Sequence, residues 1–226
     1  MPHQIGFLVF PDFQLIDLAG PFDLAALVSD CRLHLIWKDR LPVMSTSGWG
    51  LAPTTTLHDC PALDVLCIPG GSGVNALMQD AEILSFVRSQ AAKAHHVTSV
   101  CTGALVLGAA GLLRGRRATT HWASHHLLAG LGAIPVQERI VVDGPVITGG
   151  GATAGIDFAL DIIARLAGRF EAEVAQLELE YAPAPPLNAG TPRTAPEAVV
   201  ARVRADAARS VAERERIVAD LALVSI

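Results

Sequence analysis

The 226-residue sequence lacks a C-x-x-C pair and any His/Cys grouping at zinc-ligand spacing, although it holds four cysteines, at 31, 60, 67 and 101. No metal site is therefore expected. It lacks a basic excess: 17 Lys and Arg stand against 22 Asp and Glu, a formal net charge of −5. Without a basic field nothing neutralises a phosphate backbone, so nucleic acid is not an expected partner. Long apolar runs are missing too. The longest, Val100 to Leu113, is interrupted by Thr and Gly and falls short of the ~20 residues that span a bilayer. No membrane association is expected. The opening stretch MPHQIGFLVF has neither the basic start nor the cleavable apolar segment of an export signal. These absences together point to a cytoplasmic protein whose thiols stay reduced, despite the even cysteine count.

What is present is a globular composition, 51% hydrophobic and only 17% charged, the reverse of a disordered chain. The length suits one large α/β domain with a substantial core. Ile5 to Phe10 reads as a strand buried on both faces, ended by Pro11-Asp12. Residues 15–28 read as helical, with Gly20-Pro21 predicting a short turn first and the main helix from Pro21. Further strands are expected at 33–37, in 65–71, where Pro69, Gly70 and Gly71 close it, and at 97–101, and further helices at 81–93 and 102–112. Asp143-Gly144 between two β-branched runs predicts a hairpin. Thr153 is a candidate N-cap for the helix that follows the glycine turn, and 171–181 looks helical. A Pro-rich connector, 182–196, leads into a last helix in which Val199, Val203, Ala207 and Val211 recur every four residues, an apolar stripe suited to surface packing. We read residues 1–181 as the main α/β domain and 182–226 as a connector and helix packed on it. Strands alternating with helices imply a mainly parallel sheet covered on both faces, with the site beyond the carboxyl ends of its strands.

One cysteine stands apart. In VTSVCTG, Cys101 closes a strand-like run and precedes a helix-like one, the geometry of a nucleophile elbow. Gly103 leaves room for a tight turn, and amides at the helix start favour a thiolate and an anionic intermediate. The Gly71 N–H is a candidate second donor. A buried, inert thiol is the ordinary role of a free cysteine, and we assign it to Cys31, Cys60 and Cys67. Asp17, just after the first strand, is the candidate acid/base; its ordinary alternative is a helix-start carboxylate or cap. His121 is either a polar neighbour of the thiol or a strand-end histidine. His95-His96 and His125-His126 are adjacent pairs read as surface. GGSG (70–73) and GGG (149–151) match neither a P-loop nor a dinucleotide fingerprint, so no nucleotide cofactor is expected.

The stretches IGFLVFPDFQLIDLAGPFDLAALV, DVLCIPGGSGVNALM, VTSVCTGALVLGAAGLLRGRRATTHWA and TGGGATAGIDFALDI together resemble the DJ-1/PfpI superfamily. Within it the chain is most similar to the isocyanide hydratase branch. The resemblance implies a flavodoxin-like fold, a homodimer, no cofactor, and hydration of an isocyanide, R–N≡C, to an N-substituted formamide through a thioimidate on Cys101. It implies Asp17 as the proton shuttle, where many members carry Glu. Thr102 would orient water or Asp17, and the backbone of Gly71, Gly150 and Ala152 would stabilise the thiolate or oxyanion. His121 and Trp122 are candidate pocket residues. Thr102 replaces the His that follows the nucleophile in PfpI-type peptidases, which argues against proteolysis. Ala152 stands where that branch carries a bulky aliphatic residue. The roughly thirty residues after the connector are too few for the helix-turn-helix domain of regulatory relatives. Two alternatives remain on the same residues: a glyoxalase- or deglycase-like enzyme acting on α-oxoaldehydes, and a redox sensor oxidised at Cys101.

Overall fold

A computed structural model describes residues 2–224. In chain order the elements are β1 (His3–Leu8), α1 (Leu15–Ala26), β2 (Cys31–Trp37), the two-residue strands β3 (Val43–Met44), β4 (Gly50–Leu51) and β5 (Thr55–Thr56), and β6 (Val65–Ile68). There follow α2 (Val74–Leu77), α3 (Ala81–Ala91), β7 (His96–Val100), α4 (Gly103–Ala109), β8 (Arg117–Ala118), a 3-10 turn (Trp122–Ser124), α5 (Leu127–Gly130) and β9 (Ile134–Pro135). The chain continues through β10 (Ile140–Asp143), β11 (Val146–Gly149), α6 (Ala154–Leu166) and α7 (Arg169–Glu178), and the last helix is α8 (Glu197–Val224).

The main sheet runs β10-β11-β7-β6-β1-β2-β5. Every pairing in it is parallel except the β10–β11 hairpin. Counting only the five long parallel strands, the spatial order is 2-1-3-4-5, the flavodoxin-like order. Parallel strands must be covered on both faces, and β6 and β11 are buried along their whole length. The crossover through α1 moves the chain one way across the sheet and that through α3 moves it the other way. Right-handed crossovers then put these helices on opposite faces. Between β1 and β6 the direction of winding reverses, and a crevice opens there beyond the carboxyl ends of the strands. Among the described residues no helix is long and apolar enough to cross a membrane.

Several local expectations are corrected. Gly20-Pro21 does not divide α1: the helix is continuous, with buried Pro21 inside it. Proline removes the amide that would bond the Asp17 carbonyl, but packing overrides the loss. The missing side chain of Gly20 lets Ile156 of α6 come within 2.7 Å of where a Cβ would stand. The hairpin turn is Gly144-Pro145, with Asp143 still paired to Val146 in the ladder and Gly144 at φ +60. Thr153 occupies the N-cap position of α6 without capping it; its hydroxyl instead accepts from Arg139 at 3.2 Å. In α8 the expected stripe is covered only in its second half: Val199 and Val203 are exposed, Ala207 and Val211 are half-buried, and the buried residues are Arg214, Ile217 and Val218. Cys67 is buried, but Cys31 and Cys60 are only half-buried; all four cysteines are free. His96 and His125 are half-buried rather than exposed.

Candidate active site

The loops after β1, β6 and β7 meet at the crevice. Cys101 follows β7 directly and has φ +55, a left-handed conformation that costs a non-glycine residue about 1–3 kcal/mol and persists only where its surroundings enforce it. Two bonds do so. Its N–H donates to the Gly149 carbonyl at 3.1 Å, and its carbonyl accepts from the Thr120 hydroxyl at 2.7 Å. Gly103 completes the elbow, because a Cβ there would run into the Ile68 carbonyl oxygen. The turn therefore lifts a half-buried thiol above the sheet edge.

Asp17 is the third residue of α1 and is fully buried. The N-cap position belongs to Gln14, so Asp17 is not a cap. Its Oδ2 accepts the Gly70 N–H at 2.9 Å across the crevice. Oδ1 is buried without a hydrogen-bond partner. Gly70 has to be glycine for this approach: a Cβ would come within 2.7 Å of the Thr102 amide and 2.8 Å of Asp17 Oδ2.

Burial pushes the Asp17 carboxyl up to about 6, against the pull of the Gly70 amide and the Cys101 thiol. Burial, and then the charge of Asp17, push the Cys101 thiol well above its ordinary range; the Thr102 amide and Arg214 oppose this. The two groups titrate as a pair. Near neutral pH they share one proton and one negative charge, so the proton on sulfur has its acceptor beside it. The other thiols are raised by burial too, Cys31 and Cys60 to about 11 and Cys67 to about 12; what sets Cys101 apart is the Asp17 carboxylate, which accepts from its thiol.

The remaining expected site residues divide. Thr102 is buried next to the thiol, but its hydroxyl accepts the Gly71 N–H at 3.1 Å and donates to the Gly71 carbonyl at 3.2 Å. It does not bond Asp17, and the Gly71 amide is not a free donor. The Gly150 amide is also taken, by the Arg139 carbonyl at 2.9 Å. The half-buried Ala152 N–H has no backbone acceptor among the described residues. His121 is half-buried, and its Nδ1 accepts the Ala123 N–H at 3.3 Å. Burial, then the charge of Arg214, lower its pKa and keep it neutral. Trp122 lies in the wall of a cleft of about 450 Å³ together with His125, His126, Arg204 and Val211 of α8; Cys101 and His121 are not in that wall. No group of three or more potential metal-ligating side chains comes together among the described residues.

Sequence reading missed Arg214. It is buried on α8, 8% exposed. Its guanidinium donates to Asn75 Oδ1 at 2.9 Å, to the Ser124 hydroxyl at 3.2 Å and to the Gly71 carbonyl at 3.4 Å. One Arg among many in a charged helix carries no signal of burial; only the fold distinguishes it.

The DJ-1/PfpI family profile matches residues 3–165. The chain is 59% identical over 217 residues to an isonitrile hydratase of Pseudomonas putida, covering 96% of this chain and 95% of that one. It is 32% identical over 178 residues to the HTH-type transcriptional regulator GbdR of Pseudomonas aeruginosa, covering 74% of this chain but 48% of the regulator. Among solved structures, a ThiJ/PfpI family protein from Pseudomonas syringae superposes with a TM-score of 0.94 at 42% identity, over 96% of this chain and 91% of that one. On the profile match and this near full-length likeness, the chain belongs to the DJ-1/PfpI family.

Proposed function

We propose that the protein is an isocyanide hydratase that converts R–N≡C and water to R–NH–CHO, with Cys101 as nucleophile and Asp17 as proton shuttle. The observation that carries the reading is the strained Cys101 thiol beside a fully buried carboxylate raised to about 6. The 59% identity to an isonitrile hydratase supports it.

In the first step Asp17 takes the proton from sulfur as the sulfur bonds to the terminal isocyanide carbon. That carbon then takes the proton from Asp17, giving the thioimidate R–N=CH–S–Cys101. In the second step water adds to the same carbon, losing a proton to Asp17, which hands that proton on to the nitrogen. The tetrahedral adduct R–NH–CH(OH)–S–Cys101 collapses as the hydroxyl gives its proton to Asp17 and the C–S bond breaks, and Asp17 returns that proton to the departing sulfur. Formamide leaves and the thiol–carboxylate pair is restored. A carboxyl near pKa 6 suits a group that accepts and returns protons near neutral pH. Thr102 supports the chemistry by fixing Gly71, which follows the Gly70 amide held by Asp17.

The test is turnover of an aryl isocyanide to the N-aryl formamide in oxygen-18 water. Label is expected in the carbonyl, with one substrate mass on the Cys101 peptide in an early quench. Cys101→Ser is expected to lose more than about a hundredfold in rate, since its hydroxyl is not ionised near neutral pH. Efficient formation of lactate from methylglyoxal with no isocyanide turnover would overturn the reading in favour of a glyoxalase-like enzyme. The reading also carries a cytoplasmic location and a homodimer. Exposed Phe170 and Leu177 on α7, at 73% and 80%, supply apolar surface for self-association, which light scattering would measure.

A further inference from the structure

Arg214 is a buried cation without a direct counterion. Its three acceptors are an amide oxygen, a hydroxyl and a backbone carbonyl, and among the described residues no carboxylate pairs with it within 4.0 Å. Glu213, its exposed neighbour on the helix, bonds the Nδ2 of Asn75 instead, at 2.7 Å. A desolvated guanidinium with only neutral acceptors is costly unless negative charge lies close by. A chain of contacts leads to such a charge: Arg214 shares the Gly71 carbonyl with the hydroxyl of Thr102, the residue after Cys101, and the preceding Gly70 amide is held by the Asp17 carboxylate.

We propose that Arg214 is a positioning residue of the active centre: locked by Asn75, Ser124 and Gly71, it supplies the positive charge that stabilises the Cys101–Asp17 pair as the thiol gives up its proton and adds to the substrate. The proposal rests on Cys101 being the nucleophile. The field of Arg214 acts on both the Cys101 thiol and the His121 imidazole. The charged groups that act on the thiol are Asp17 from α1 and Arg214 from α8; Cys67 from β6 feels Asp17, while neutral His121 ahead of the 3-10 turn and Glu213 of α8 are coupled to Arg214. Only Arg214 is a permanent cation. It lies outside residues 3–165, the segment matched by the family profile, so the C-terminal helix adds an electrostatic part that the core sheet does not provide.

The test compares Arg214→Gln with Arg214→Lys by the pH dependence of Cys101 alkylation with iodoacetamide, alongside kcat/KM and thermal melting. Removing the charge should raise the alkylation midpoint by about one pH unit, a tenfold slower reaction near neutral pH. It should lower kcat/KM with the same pH displacement. The Lys variant, which keeps the charge without the fork, should restore both to within about threefold of the starting protein. A role confined to fastening α8 would lower the melting temperature of both variants and leave the midpoint in place, and that result overturns the proposal. Should the Gln variant fail to fold, the unaltered protein decides: the Arg214 Nε–H resonance is expected to titrate with the same midpoint as the Cys101 Cβ resonance. A flat Arg214 trace overturns the proposal. Activity surviving in Cys101→Ser would instead defeat the nucleophile assignment, an outcome separable from any effect of Arg214 on alkylation.

Discussion

Asp17, as the proposed proton shuttle, sets function against stability at the scale of one residue. Its ordinary value is 3.8, and in the fold it is held near 6, chiefly by burial. A raised carboxyl means that the folded chain binds the proton more tightly than the unfolded chain. Stability from this group is therefore greatest below the unfolded value and falls as pH rises from about 4 through 6. The ionised, buried carboxylate above pH 6 costs on the order of 3 kcal/mol. Asp17→Asn keeps the size and removes the charge. It is expected to raise the melting temperature at pH 8 by roughly 5 °C, and calorimetry should find the gain shrinking toward pH 5, where the native carboxyl is already protonated. The same variant should lose about a hundredfold or more in kcat/KM, because an amide cannot shuttle a proton. A variant that is no more stable at pH 8 and still active would place Asp17 outside the proton path. For the unaltered enzyme, the acid limb of kcat/KM is expected near pH 6.

At the scale of elements, the structure separates what local pattern encodes from what packing decides. Apolar runs and turn residues marked β1, β6, β7 and the β10–β11 hairpin to within a few residues, since a buried parallel strand has little freedom in composition. Pattern failed where two elements negotiate. Gly20-Pro21 looks like a break when read along the chain, yet against α6 it is the gap that admits Ile156. In α8 the four-residue recurrence of Val199, Val203, Ala207 and Val211 marked a face that is open at Val199 and Val203 and half-covered at Ala207 and Val211, while the helix is anchored further on by Ile217 and Val218. There it sits so close to α5 that a Cβ on Gly130 would lie 2.6 Å from Val218. Ile217→Ala should accordingly cost about 2–4 kcal/mol in urea unfolding, as loss of a buried aliphatic side chain does. Val203→Ala should cost less than about 0.5 kcal/mol, the usual scale for exposed positions. Equal effects would mean that the helix packs by its whole length.

Over the whole molecule, the doubly wound topology explains why half of the site was legible. Asp17, Gly70 and Cys101 each follow a strand, and in a parallel sheet strand ends converge at the reversal of winding whatever the intervening helices do. Their meeting could thus be expected from order alone. The partners of the loop amides could not: Gly71 and Gly150 spend their N–H groups on Thr102 and Arg139 through contacts 31 and 11 residues apart in the chain. Nor could Arg214, which arrives from beyond the Pro-rich connector. The consequence is that α8 belongs to the chemistry as well as to the core. Deleting residues 197–226 would uncover the face of α5 on which α8 packs at Gly130, and would leave Asn75, Ser124 and the Gly71 carbonyl without their guanidinium. The truncated chain is expected to bind an apolar dye, to unfold at lower urea, and to alkylate Cys101 more slowly at neutral pH in whatever fraction stays folded. Supplying the helix as a variant carrying Gln at 214, within the full-length chain, should recover the urea midpoint far more than the alkylation rate. A truncated protein that is monodisperse, equally stable and equally reactive would reduce α8 to an appendage.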